Sequence, residues 1–149
     1  VIFGSIIKNP SQSGEEIVKE NGVLTEGEYK DKSTELSSSV SDLFFAHKPI
    51  FDKYTDLEIS RDDALVDTSI TLDSAINLKT ELNSLNPPEK YKNLHYYYGK
   101  RLEFFIKYLE AEKIYYETGN LAYVDIMVES LNEMTRYTDD ATFEIYTLK

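Results

Sequence analysis

Hydrophobic residues recur at helical spacing along most of the chain. The most regular run lies in the last 30 residues, where small or apolar side chains follow one another at steps of three and four. Its members are Val124, Met127, Leu131, Met134, Thr138, Ala141, Ile145 and Leu148. The same spacing occurs over residues 36–54 and 65–85, and no stretch alternates as a half-buried strand does. The pattern predicts an all-α fold, with Leu131 and Met134 largely buried.

Start and stop signals divide this pattern into separate helices. Thr25 and Ser60 are each followed three residues later by an acidic side chain, which is typical of a helix N-terminus. Pro88 suits the first position of a helix, and Gly119 suits its end. Pro49 falls inside the first pattern and predicts a bend or break there. The predicted helices run over about 25–54, 60–85, 88–118 and 120–147.

The connections between these predicted helices are short, which favours antiparallel neighbours. The sequence therefore predicts one domain over residues 1–149, an up-down-up-down four-helix bundle. Residues 1–24 form an irregular N-terminal extension, with a short helix over about 14–20.

Composition narrows the functional classes. The chain carries 16 Lys+Arg and 27 Asp+Glu, a net charge of −11, which argues against nucleic-acid binding. It has no Cys and two His, so thiol chemistry is excluded and little is left for metal binding. Neither His stands in a Glu-x-x-His motif, and on the predicted helices His47 and His95 lie some 20 Å apart. We therefore predict no catalytic residue, no metal and no cofactor.

The third predicted helix is unusually aromatic, with seven of the chain's 12 Tyr. Its core stripe is flanked by a second stripe formed by Tyr97, Phe104, Tyr108 and Tyr115. Either a neighbouring segment covers this second stripe, or it is an exposed binding surface. His95, which precedes three consecutive Tyr, is the better of the two His as a contact residue. We predict that these five residues contact a ligand or partner.

The first seven residues, Val1–Ile7, are apolar but too few to span a membrane. Two interpretations stay open. The run is what remains after a signal or anchor was removed, with a membrane tether upstream of Val1, or it packs on the fold and covers the aromatic stripe.

The segment Leu85–His95 contains Pro87-Pro88-Glu89, then an aromatic residue and a His one turn apart. A long helix, Thr118-Gly119-Asn120 and another helix follow. This arrangement resembles helical-hairpin domains of poorly characterised secreted, lipoprotein-like or membrane-anchored proteins of bacteria and archaea, over residues 82–148. The resemblance implies a domain outside the cytoplasm.

Together these features predict a non-enzymatic, extracytoplasmic binding domain that contacts a protein partner or a small ligand. One alternative is a ligand-sensing ectodomain of a membrane receptor, in which a ligand between helices shifts their packing. A second alternative is an enzyme whose pocket the sequence does not reveal.

Overall fold

The computed structural model describes residues 22–149, which form five α-helices and no strand. The helices are α1 (Glu26–His47), α2 (Pro49–Thr55), α3 (Arg61–Ser84), α4 (Lys92–Thr118) and α5 (Ala122–Thr147). The all-α prediction is confirmed for this range. The short helix predicted over about 14–20 and the apolar run Val1–Ile7 lie outside the described residues.

Local hydrogen bonds fix three helix ends where the sequence predicts them. At the start of α1, the Glu28 amide donates to Thr25 Oγ1 over 3.1 Å, and the Thr25 amide donates to Glu28 Oε2 over 3.0 Å. At the start of α3, the Asp63 amide donates to Ser60 Oγ. Gly119 ends α4 with φ of 69°, a left-handed conformation that glycine adopts without strain.

Pro49 separates α1 from α2, as predicted. The first helix ends at His47, and Pro49 is the first residue of the second. The Lys48 amide still donates to the Phe44 carbonyl over 2.9 Å, so the interruption is confined to about one residue. The cause is local, because a proline ring inside a helix clashes with the preceding turn and lacks the amide donor.

Pro88 differs from its predicted place at the first helical position. Its ψ of 153° is extended, and it precedes a 3-10 turn over Glu89–Tyr91. The Tyr91 amide donates to the Pro88 carbonyl over 2.8 Å, which tightens this turn. The α-helix therefore begins at Lys92 instead of 88.

Helix α4 forms the centre of the fold, since it packs along both α3 and α5 and also contacts α1. The main core contains Val40, Ala75, Leu82, Leu102, Phe105, Tyr108, Leu109, Ala111, Met127 and Met134. A second cluster contains Tyr29, Tyr91, Leu94 and Ala141. The burial of Met134 is confirmed. Leu131 is only half-buried, because it borders an open groove between α1 and α5. Among residues 22–149, no helix has the length and apolar character needed to cross a bilayer.

Candidate functional site

The predicted aromatic stripe of α4 is covered in part by α5. Phe104 stacks on Tyr137, with ring centroids 5.9 Å apart and planes at 16°, and Tyr97 lies 6.4 Å from the same ring. Phe104 and Tyr97 are both half-buried. These two residues pack against a neighbouring helix and do not stand free.

The other half of the stripe packs under the short helix α2 or in the core. The Tyr115 ring lies 5.8 Å from Phe51 and 6.3 Å from Tyr54. Tyr108 is 6% exposed and belongs to the main core. The expectation that Tyr108 contacts a ligand from an open surface is thus corrected. The stripe is not one continuous exposed face, because side chains of α2, α5 and the main core each cover a part of it.

A smaller aromatic cluster stays accessible where α4 packs against α5. Tyr96 is 52% exposed and its ring packs near Tyr97 and Tyr137. Lys100 Nζ lies 6.0 Å from the centroid of the Tyr96 ring, and Arg136 Cζ lies 4.5 Å from the centroid of the Tyr137 ring. The contact role predicted for Tyr97, Phe104 and Tyr115 stays a prediction. Tyr96 is a neighbour that helical spacing does not place on the stripe.

His95 lies near the start of α4, beside the aromatic cluster that joins α1 to α4. The Tyr29 hydroxyl lies 3.3 Å from His95 Nδ1, within hydrogen-bond distance, and the two rings are 5.9 Å apart. Burial lowers the pKa of His95 and favours the neutral ring. His95 therefore contributes to packing and is half-exposed to solvent. Its predicted contact with a ligand stays a prediction.

His47 belongs to a polar cluster that joins three helices and is buried except at Asp67, whose side chain is 45% exposed. Its Nε2 is 2.5 Å from Glu112 Oε2, and its Nδ1 is 2.8 Å from Asp67 Oδ1. The Tyr116 hydroxyl donates to the other Glu112 oxygen over 2.7 Å. Exposure is 2% for His47 and 0% for Glu112. The end of α1, the start of α3 and the end of α4 are thus connected through one imidazole.

The electrostatics of this cluster favour a protonated ring. Burial by itself lowers the pKa of His47, but hydrogen bonds and charges from Glu112 and Asp67 outweigh it and leave the pKa above its ordinary value. With a carboxylate at each nitrogen, the imidazolium can donate on both sides. Burial and the adjacent Glu112 also raise the pKa of Tyr116, which keeps this hydroxyl a donor.

Arg101 is a second buried charge on α4, and it has a different environment. Its guanidinium donates to the Ser37 carbonyl over 2.9 Å, and to the hydroxyls of Ser37 and Ser41 over 3.4 Å. Its exposure is 9%, and no carboxylate of residues 22–149 forms an ion pair with it. Burial lowers the pKa of Arg101, although an arginine stays protonated at neutral pH.

Sequence reasoning placed neither Glu112 nor Arg101 at a site, yet the spacing contains a signal. Both residues occupy the column of α4 that alternates steps of four and three, where apolar side chains are expected. The column reads Leu94, Tyr98, Arg101, Phe105, Tyr108 and Glu112. A charged residue in such a column predicts a buried partner or a functional site, but it does not say which.

A groove runs between α1 and α5, with side chains of α4 as its floor. We divide this α1–α5 groove into two recesses. The upper recess has a volume of about 230 Å³ and the lower one of about 250 Å³, and both are open to solvent. The upper one includes Val40, Phe44, Phe45, Leu131, Met134 and Arg101 in its lining. The lower one includes Lys30, Tyr91, Leu94, Tyr98, Leu148 and Lys149. In the part of the chain that the structure describes, no Asp or Glu lines either recess.

The described residues do not bring metal ligands together. Within 22–149, no three His, Asp or Glu side chains converge as a metal site. His47 and His95 lie near opposite ends of α4, in separate clusters, as the spacing along the predicted helices indicates. In the His47 cluster the two carboxylates approach different ring nitrogens, so the groups form a chain of hydrogen bonds and do not surround one point.

Comparison of the chain with protein-family models, with curated proteins and with solved structures finds no match. The resemblance of residues 82–148 to secreted helical-hairpin domains therefore stays a prediction.

Proposed function

We propose that this chain is a non-enzymatic helical-bundle domain that binds a small apolar ligand in the α1–α5 groove. The observation that carries the proposal is the upper recess, an apolar space bordered by the half-buried Leu131 and by Phe45, which is 66% exposed. A ligand there would remove accessible apolar surface from water, at roughly 25 cal/mol per Å². By contrast, His47 and Glu112 are too deeply buried for a substrate to reach.

The proposed arrangement of the chain is an up-down-up-down bundle whose first and last long helices stand slightly apart. Two sets of contacts support it. Tyr29 near the start of α1 meets His95 near the start of α4, and His47 at the end of α1 meets Glu112 near the end of α4. Asp67, near the start of α3, joins the second set.

The two methionines provide a direct test. Met134 lines the upper recess, whereas Met127 lies in the core and not in that lining. In the full chain labelled with carbon-13 at the methionine methyl groups, decanol should shift the Met134 signal and leave the Met127 signal in place. Thr138→Trp, which fills the recess, should weaken binding on the order of tenfold. Thr142→Trp, one turn away and outside that lining, is the matched control. A Met134 signal that does not respond would refute the proposal.

Location outside the cytoplasm, tethered or secreted, is part of the same proposal and rests on the resemblance. Fractionation of cells that express the full-length gene tests it, since recovery in the cytosol alone would contradict it.

A sensor ectodomain is a second candidate, favoured by the position of the groove between two helices. Ligand entry would then change the distance between α1 and α5. Spin labels at Asp42 and Asn132, both exposed, should report a changed distance on addition of decanol. An unchanged distance despite binding favours a simple binding domain.

A protein partner is the third candidate, and we propose that it would bind the accessible aromatic cluster of Tyr96, Tyr97 and Tyr137. If Tyr96 contacts a partner, Tyr96→Ala should leave the free energy of unfolding within about 1 kcal/mol, since its side chain is half-exposed. Loss of self-association in sedimentation would identify a second copy as that partner.

A further inference from the structure

We propose that the upper recess of the α1–α5 groove takes an anionic amphiphile, a single alkyl chain with a carboxylate head that pairs with Arg101. This inference deepens the proposed function and rests on it. The carboxylate accepts from the guanidinium, while the alkyl chain lies against Phe44, Leu131 and Met134.

The first observation is the environment of Arg101. The side chain lines the recess and is 9% exposed, yet its hydrogen-bond acceptors are the neutral oxygens of Ser37 and Ser41. A charge removed from water without a counter-charge is unfavourable. A guanidinium also offers five N–H donors in a planar fork that matches a carboxylate. An arriving carboxylate would therefore supply what α1 does not.

The second observation is the distribution of charge around the groove. The chain has 27 Asp+Glu against 16 Lys+Arg, but the charged side chains of residues 22–149 that line the two recesses are all cations. These cations are Lys30, Arg101 and Lys149. Arg101 is the charged side chain in the lining of the upper recess, and the two lysines line the lower one. The lining therefore complements an anion, although the protein as a whole is acidic.

The third observation is the size and polarity of the upper recess. Its volume of about 230 Å³ is below the roughly 300–1,000 Å³ of pockets that hold drug-sized ligands. Apart from Arg101, the lining consists of apolar side chains and of the hydroxyls of Ser41, Thr135 and Thr138. A slender chain with one charged end fits this lining better than a ring system or a peptide helix.

The test compares head groups on one chain length, in the full 149-residue protein with labelled methionines. Decanoate, decanol and decyltrimethylammonium are titrated below their aggregation concentrations, and dissociation constants are taken from the Met134 methyl shift. We expect decanoate to bind on the order of tenfold more tightly than decanol, with the cationic probe weakest. This series needs no variant, so it decides the question even if a substitution at Arg101 prevents folding.

Two variants assign the preference to one residue. Arg101→Gln should reduce the affinity for decanoate to that for decanol. Arg136→Gln removes an exposed arginine that pairs with Glu133 on α5, outside the lining of the recess, and should keep the preference.

The outcomes separate the two proposals. Equal affinities for decanoate and decanol, both with a shifted Met134 signal, overturn the role of Arg101 and leave the groove as a ligand site. No shift with any probe overturns both proposals.

Two further measurements test whether part of the protein itself occupies the groove. In sedimentation of the same samples, a dimer that binds no probe at the groove would assign this face to a second copy. Nuclear Overhauser effects between the Met134 methyl and residues 1–21 in the free chain would assign it to the chain's own N-terminal residues. Either result overturns the proposal that the groove binds an amphiphile.

Discussion

Helix α4 buries two charged side chains three turns apart, and their surroundings are opposite. Glu112 meets His47 and Tyr116, so its charge has a partner inside the protein. Arg101 meets neutral oxygens of α1 and borders an open recess. Both residues occupy the same column of the helix, where an apolar residue is expected. A charged residue in a core column is a position where a partner is expected. Such a partner lies inside the protein at Glu112, which makes the pair structural, whereas Arg101 has no ionic partner in residues 22–149 and is a candidate for ligand contact.

The largest expected effect comes from breaking the paired charge. Glu112→Ala should lower the free energy of unfolding by about 3–5 kcal/mol, because it leaves His47 with a buried imidazole and no partner at Nε2. Urea denaturation measures this. Glu110→Ala, on the exposed side of the same helix, should change stability by no more than about 0.5 kcal/mol. Similar losses in the two variants would mean that Glu112 contributes no more to the free energy of unfolding than an exposed residue of the same helix.

Replacing both members of the pair should cost less than removing one. In His47→Leu combined with Glu112→Leu, no buried charge is left without its partner, and well-packed apolar side chains often replace a buried ion pair at little cost. We expect a favourable coupling between the two substitutions of about 0.5–3 kcal/mol in a double-mutant cycle. Strict additivity would show that His47 and Glu112 contribute independently.

The two histidines predict opposite pH dependences. The folded state raises the pKa of His47, so its contribution to stability is complete below about 6.5 and is lost as the pH rises through the folded-state pKa. The folded state lowers the pKa of His95, so stability falls as the pH drops below about 6.5.

Unfolding experiments from pH 5 to 9 separate these contributions through two variants. His47→Gln should remove the decline on the alkaline side, and His95→Gln should remove the decline on the acid side. If both variants keep the wild-type profile, these rings do not govern it.

The smallest effect is expected at the other buried charge. Arg101→Met should leave the free energy of unfolding within about 1 kcal/mol, since an apolar side chain of similar length replaces a charge that has no ionic partner in residues 22–149. Thermal denaturation checks this. A loss as large as that in Glu112→Ala would show that the bonds to Ser37 and Ser41 hold α1 in place, and the contrast between the two charges would disappear.

Local signals in the sequence were enough to predict the helices. The caps at Thr25 and Ser60, the break at Pro49 and the stop at Gly119 depend on hydrogen bonds and steric contacts within a few residues. The burial of Met134 followed from spacing alone. The start of α4 was displaced by four residues, because the turn after Pro88 is tightened into a 3-10 form.

Only the tertiary structure decided what the side chains of α4 face. Helical periodicity shows that Tyr97, Phe104, Tyr108 and Tyr115 share a side of the helix. The packing of α2, Tyr137 and the main core decides how far each of them is covered. Periodicity likewise places Glu112 in the core column without indicating that His47, 65 residues earlier, completes it. The separation of α1 from α5 leaves no mark in the sequence of either helix. Each of these features depends on how helices distant in the chain are positioned, and short-range spacing contains no such distances.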